Sequence, residues 1–309
     1  MTGLSQRLLK IKIAALIIIS SLAASAVAGP SEDADAAYVA GDYAAALRFW
    51  LPLAEKGDAL ARIRIGGLYA DGSGVAQSYT EAMRWFRLAA DQGNTRAQFN
   101  IGTLFYNGQG VKRDYAEAAK WFVLAGDQGH AVAQYNLGTM HAGGQGVPKS
   151  DADAVKWYRL AAEAGHPGAQ FNFAMHLAKG LGVAKDDGEA AKWVSRAAEQ
   201  GHVLAQYNLG ILYANGRGVP QNDEEAVKWY RLAADQGYVL AQSSLGLLYS
   251  HGRGVSKDPV QALKWLNLAV ARGDKRSTQD RDDLKRSMSA AQIADAERLF
   301  REWKPTKAR

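Results

Sequence analysis

Small and apolar residues recur along this chain at helical spacing, and that pattern itself repeats every 36 residues. In Asn94–Asn107, Ala97, Ile101, Leu104 and Phe105 fall at i, i+4, i+7 and i+8, which is one face of an α-helix. In Asp114–Gln128, Ala118, Trp121, Phe122 and Ala125 define a second such face. A short polar segment containing Gly108-Gln109-Gly110-Val111 separates the two. Glycine stands at 57, 93, 129, 165, 201, 237 and 273, and tryptophan at 85, 121, 157, 193, 229 and 265. Gly-x-Gly-Val turns begin at Gly72, Gly108, Gly144, Gly180, Gly216 and Gly252. Six two-helix units, 58–93, 94–129, 130–165, 166–201, 202–237 and 238–273, therefore tile the chain without an insertion. Seen alone, one such turn looks like the start of a phosphate loop. A dinucleotide loop, however, needs Gly-x-Gly-x-x-Gly after a strand, and a P-loop ends in Gly-Lys-Ser/Thr. Neither occurs at these turns, so the glycines are expected to serve a tight turn with positive φ, the valine tucked beneath it.

The helix ends are written as clearly as the faces. Ser78, Asp114, Ser150, Asp186, Asn222 and Asp258 occupy one position before the second helix, and all are strong N-caps. Three residues on stand Glu81, Glu117, Asp153, Glu189, Glu225 and Gln261, a capping-box pattern in which Asp153 is a shorter substitute. The second helix should end at Gly129 and its equivalents in a left-handed C′ residue. Gly102, Gly138, Gly210 and Gly246 lie inside the first helix, where each costs about 1 kcal/mol against alanine. Repetition of that cost at one position implies close approach of another helix, with Ala174 a mild departure.

The ends of the array differ. Gly41–Gly57 reads as a second helix in register, with Asp42 as cap, Phe49 at the tryptophan position and Pro52 expected to kink it. Its partner can come only from about Ser31–Ala40, which makes 29–57 a truncated N-terminal capping repeat. Downstream, 274–309 comprises a charged segment, Asp274–Ser287, with nine charged residues in fourteen, and then a capping helix. That helix opens with Ser289 and Gln292 as a capping box, and Ile293, Ala296, Phe300 and Trp303 form its apolar stripe.

Residues 1–28 have the pattern of a secretory signal peptide. Arg7, Lys10 and Lys12 precede a short apolar core, and Ala26-Val27-Ala28 is a cleavage box that places the cut between Ala28 and Gly29. The apolar part is shorter than the ~20 residues a spanning helix needs. A periplasmic or secreted protein is expected, with a retained anchor as the alternative. Export also changes the charge. The chain carries net +6, and removing Met1–Ala28 takes away three bases and no acid, leaving +3. So modest a balance argues against nucleic acid as partner. With no cysteine, neither disulfides nor thiol chemistry is available. His130, His166 and His202 share a repeat position, but repeats stack about 10 Å apart, too far for nitrogens ~2 Å from one zinc. They are expected as N-cap or first-turn residues, and no metal or cofactor is expected. His-Glu-x-x-His, Ser-x-x-Lys with Lys-Thr-Gly, and Gly-x-Ser-x-Gly are all absent.

The motif Ala-x-aromatic-x-Leu-Gly-x-x-Tyr-x-x-Gly-x-Gly-Val followed by Ala-x-x-Trp-aromatic-x-x-Ala-Ala-x-x-Gly resembles the Sel-1-like repeat, a 36-residue relative of the tetratricopeptide repeat. AQYNLGILYANGRGV at 205–219 and AAKWVSRAAEQG at 190–201 carry it well, and it covers Asp42–Gly273. The resemblance implies an all-α fold, a right-handed α-solenoid of stacked helix pairs with capping helices at both ends. It also implies a non-enzymatic adaptor or regulator that works through protein contacts. In such superhelices the first helices line the concave face. Asn100, Asn136, Asn172 and Asn208 share one position there, and asparagine at the matching family position hydrogen-bonds the backbone of a bound peptide. Thr103, Thr139, Met175 and Ile211 lie three residues on along the same face. Phe99, Tyr135, Phe171 and Tyr207 precede the asparagines and have two readings, a platform for ligand or packing between first helices. The asparagines likewise either bind a partner or link repeats, and Arg64 and Ser244 break the series at its ends. Two function classes emerge: a scaffold for a protein or peptide partner, such as a membrane sensor or an envelope assembly complex, or an envelope factor for peptidoglycan or exported polysaccharide. A hydrolase of cell-wall or β-lactam substrates is a remote third.

Overall fold

The computed structural model describes residues 30–306, which form sixteen α-helices and no strand. They are α1 (Pro30–Val39), α2 (Tyr43–Glu55), α3 (Ala59–Asp71), α4 (Tyr79–Ala90), α5 (Thr95–Asn107), α6 (Tyr115–Asp127), α7 (Ala131–Gly143), α8 (Asp151–Glu163), α9 (Pro167–Lys179), α10 (Asp187–Glu199), α11 (Val203–Asn215), α12 (Asp223–Asp235), α13 (Val239–His251), α14 (Pro259–Ala271), α15 (Arg276–Arg286) and α16 (Ala290–Glu302). The expected signal peptide lies outside the described residues. No described helix is long and apolar enough to cross a membrane. The described residues fall into two compact units, divided between Asp114 and Tyr115. Within each, a helix packs on its neighbours in sequence, as an α-solenoid requires.

The caps form as the sequence predicts, with one difference. The side chains of Ser78, Ser150, Asp186, Asn222 and Asp258 accept the N–H of Glu81, Asp153, Glu189, Glu225 and Gln261 at 2.8–3.2 Å. The reciprocal half of the capping box is replaced. The backbone N–H of each of these caps instead donates to a carbonyl of the preceding first helix, Ser78 to Tyr69 and Asp186 to Leu177 among them. The N3 carboxylates are thereby released and turn forward. Glu81 accepts from Arg84, Glu117 from Lys120 and Trp121 Nε1, and Glu189 from Trp193 Nε1. A full reciprocal box closes at Ser289 and Gln292.

The glycines inside the first helices sit where another side chain needs their space. A Cβ on Gly66, Gly138 or Gly210 would run into the ring of Phe86, Tyr158 or Tyr230 on the second helix of the same pair. Where alanine stands at this position, as Ala174, the residue in the same register of the partner helix is the smaller Val194, and both are buried in one cluster. Glycine opposite an aromatic and alanine opposite valine fill similar volume, so the departure is compensated.

At the N-terminal pair the residue in the tryptophan register is not the buried one. Phe49 is 42% exposed, and Trp50, one residue on, is 1% exposed. Trp157 packs back on the preceding pair, its ring against Gly126, and Trp85 shares a buried cluster with Trp50. Phe49 has no described pair before it to pack against. Helix α2 runs through Pro52 to Glu55, so the proline does not end it.

The charged segment, to which the sequence assigned no element, contains the helix Arg276–Arg286. It lacks an apolar stripe and is anchored by Ser277, which is fully buried and shares a 2.7 Å hydroxyl hydrogen bond with Ser243 of α13. Helix α16 then packs on α14, with Trp303 set edge-on to Trp265 at 6.5 Å between centroids. Beyond α16 the chain returns to α12, where the N–H of Thr306 donates to the Asp235 carbonyl at 2.8 Å. Burial in this region raises the Asp235 pKa and lowers that of Lys264.

Candidate binding surface

The asparagines are carried by the first helices, and histidines fix where three of those begin. His130, His166 and His202 are N-caps whose Nδ1 accepts the N–H of Ala133, Ala169 and Ala205 at 3.1–3.2 Å. Such a cap requires an unprotonated Nδ1, and burial lowers the pKa of His166 and His202. Two of these rings, and Tyr238 at the same repeat position, meet aromatics that precede the asparagines. Tyr135 stacks on His166 at 4.5 Å between centroids, Phe171 meets His202 at 5.2 Å, and Tyr207 meets Tyr238 at 5.0 Å. These aromatics therefore join consecutive first helices, the packing alternative of the two that the sequence allowed.

A pH dependence arises from the caps. The folded state holds His166 and His202 below their ordinary pKa, so it binds fewer protons than the unfolded chain. Their contribution is complete above the ordinary histidine pKa and is lost as pH falls through the lowered folded one. A cap is worth about 1 kcal/mol. We expect a His166→Asn/His202→Asn variant to lose less stability than wild type between neutral and mildly acidic pH, because asparagine caps without titrating, as Asn94 does here. Urea midpoints across that range test it, and parallel curves would refute it.

A second series of polar residues links the repeats and was not singled out from sequence. Gln134, Gln170, Gln206 and Gln242 are buried, and each donates Nε2 to a carbonyl of the preceding second helix, that of Gly126, Ala162, Ala198 or Ala234, at 2.8–3.2 Å. Gln200 and Gln236 extend the series by donating to Gln170 Oε1 and Gln206 Oε1. Its signal was available: glutamine follows alanine at one fixed position in successive units. Burial of an amide in successive repeats demands a partner, and here the neighbouring unit supplies one for the amide N–H of each of the four.

The asparagines lie on the same helices, two residues beyond these glutamines. Asn136, Asn172 and Asn208, all in the second compact unit, are half-buried. The Tyr158 hydroxyl donates to Thr139 Oγ1 at 3.3 Å and lies beside Asn172, while burial raises the phenol pKa. Asn172, Met175, Tyr158 and His176 line a cavity of about 170 Å³ on this face. Asn208 Nδ2 donates to the Leu204 carbonyl of its own helix at 2.8 Å, with Ile211 half-buried nearby in sequence. Thr103 and Thr139 turn their hydroxyls back onto the carbonyls of Phe99 and Tyr135. In the first compact unit Asn100 and Arg64 line a cavity of about 450 Å³ with Asp35, Tyr38, Trp50 and Arg96, and Arg64 is ion-paired with Asp35. The predicted residues thus fall into separate settings: Asn100 and Asn172 line cavities, and Asn208 is engaged within its own helix.

Six consecutive segments of this helix-pair array, residues 59–94, 95–130, 131–166, 167–202, 203–238 and 239–274, match the model of the Sel1 repeat. The chain belongs to the Sel1-repeat family. Each matched segment begins at the first residue of a first helix, one after its cap. A Sel1 repeat protein from Oxalobacter formigenes is 32% identical, covers 78% of this chain and 97% of its own, and has a TM-score of 0.67. The protein c5321, a protective antigen of uropathogenic Escherichia coli with an SLR fold, is 29% identical over 89% of this chain and 68% of its own, with a TM-score of 0.57. No curated protein matches the chain. The Sel1 array is a helical scaffold of the kind that typically serves protein interaction.

Proposed function

We propose that this Sel1-repeat protein is an exported, non-enzymatic scaffold that holds an extended segment of a protein partner against the first helices of its repeats. The cavity beside Asn172 and Met175 is the observation that supports this reading most. An amide has two donors and an acceptor oxygen with two lone pairs, so Asn172, beside Tyr158 in the cavity lining, has capacity to read a peptide backbone. An extended peptide advances ~3.3 Å per residue, so a repeat of ~10 Å meets about three residues. Repeated amides then supply affinity without choosing side chains, and neighbours that do not repeat, Met175 and Ile211, supply selectivity. The envelope-polysaccharide reading is weaker, because Tyr135, Phe171 and Tyr207 are engaged with the next repeat and offer no free platform. Export is supported by the short apolar core and the Ala26-Val27-Ala28 cleavage box.

Replacing Asn136 and Asn172 together by alanine should weaken capture of the partner from envelope extract by about 1–3 kcal/mol, with helicity retained because neither residue belongs to the apolar core. Full affinity in a helical double variant would move the site elsewhere, and unfolding would make the asparagines structural. Muramidase digestion of the extract separates a protein partner from peptidoglycan. N-terminal sequencing of the exported product should begin at Gly29; an intact Met1 on a membrane-bound product would contradict the assignment.

A further inference from the structure

The second helices present another surface, and the chain itself shows what fits one copy of it. Residues Val155, Lys156, Arg159 and Leu160 of α8 share repeat positions with Val227, Lys228, Arg231 and Leu232 of α12, and with Leu263, Lys264, Asn267 and Leu268 of α14. On α8, Val155 and Leu160 together with Gly182 and Val183 of the next turn floor a notch of about 340 Å³, and Lys156 and Arg159 line it too. On α12 the corresponding residues line a notch of about 480 Å³. Leu160 is 38% exposed and Leu232 41%, whereas Leu268 is 5% exposed. The difference at Leu268 arises from the helices C-terminal to α14. A first helix or α15 succeeds each of the three, but only α14 also carries α16. Ala296 of α16 is fully buried, Phe300 and Trp303 pack against the cluster that holds Leu268, and Lys264 is half-buried with its pKa lowered by that burial.

We infer that the exposed faces of α8 and α12 are docking sites for an amphipathic helix of a partner protein, one whose aromatic and aliphatic stripe is flanked by carboxylates. The helical form is argued from α16, of whose stripe Ala296 is buried and Phe300 and Trp303 pack against the cluster that holds Trp265 and Leu268 of α14. The acidic flanks are argued from charge. Lys156 and Arg159 line the α8 notch with no carboxylate among its lining residues, and their aliphatic stems extend the apolar floor. Lys228 and Arg231 stand at the equivalent places on α12, where Lys228 is ion-paired with Glu225 and Glu224 and Asp235 line the notch. The acidic preference therefore belongs to α8 first. The intervening α10 has Ser195 and Arg196 where α8 has Arg159 and Leu160, which removes the apolar floor there. This surface is distinct from the first-helix face, so a partner can be held on either alone.

The test uses the full chain and a labelled synthetic peptide of residues 289–304, monitored by fluorescence anisotropy. A second peptide carries Arg298→Glu and Arg301→Glu, and a third Phe300→Ala and Trp303→Ala. We expect saturable binding of the first peptide, binding about tenfold tighter for the acidic one and weakened by salt, and loss of binding for the third. Leu160→Asp with Leu232→Asp, both at exposed positions, should weaken binding by at least about tenfold with an unchanged circular dichroism spectrum. Lys156→Glu with Arg159→Glu should abolish the preference for the acidic peptide. Asn136→Ala with Asn172→Ala should change none of this, which separates a failure here from a failure at the first-helix face. Absence of saturable binding up to about 1 mM, equal binding of the third peptide, or binding indifferent to the two leucine substitutions would overturn the inference. The last outcome would mean that the peptide merely displaces α16 from α14.

Discussion

Trp157→Ala should cost about 3–5 kcal/mol, the range for removing a buried aromatic from a core. Trp157 is 7% exposed, and its ring lies against Gly126 on α6, in the repeat before its own. The substitution therefore opens a void between repeats rather than within one. In an array where each repeat touches only its neighbours, such damage is local. Amide exchange at low denaturant should accelerate first in α6 to α9, with α13 and α14 retaining their protection. Uniform loss of protection along the second compact unit would show that it unfolds as a single cooperative body, and the nearest-neighbour description would fail.

The second large effect separates two glycines that look alike in sequence. Gly165 and Gly182 both have positive φ, +89° and +67°. At Gly165 no atom stands within 4 Å of where a Cβ would go. Alanine there meets only the left-handed backbone penalty, roughly 1–2 kcal/mol. At Gly182 a Cβ would collide with the Asp151 carbonyl at the start of α8, in the preceding repeat. Overpacking of this kind adds about 1–3 kcal/mol, so Gly182→Ala should cost clearly more than Gly165→Ala. Urea midpoints of the two variants decide it. Equal losses would mean that the loop shifts away freely and that the second glycine of the turn serves conformation alone.

The two glycines mark the reach of local sequence. The Gly-x-Gly-Val turn was legible as two left-handed residues because φ is a property of one residue and its neighbours in the chain. That the second glycine is also a point of contact between repeats was not legible, since the opposing carbonyl lies 31 residues earlier in sequence. The capping box shows the same boundary. Cap and N3 residue identities predicted Asp186 with Glu189, and the first bond forms. The second does not, because the Asp186 N–H is already held by Leu177 of the partner helix. Among the site residues, the asparagine register was readable as a ladder. Its members nevertheless live in different settings, since Asn172 has Tyr158 beside it and Asn208 turns to Leu204. The two notches on α8 and α12 were not legible, because an exposed leucine on a helix gains meaning only when a covered copy of it is seen at Leu268.

The amino-acid order by itself determined the period, the sixteen helices less α15, the caps of the second helices and the glycines that follow the helix ends. Each of these rests on hydrogen bonds and dihedral preferences that span a few residues. Tertiary structure alone decided which residues do the joining. It placed Trp50 rather than Phe49 in the first core, made buried glutamines the links between repeats, and spent the aromatics of Tyr135 and Phe171 on histidine rings of the next repeat. It also made a helix of the charged segment 276–286 and laid α16 on α14. The reason is one of distance along the chain. A side chain's own sequence neighbours settle its helix, but the repeat 36 residues away settles which of its faces is covered.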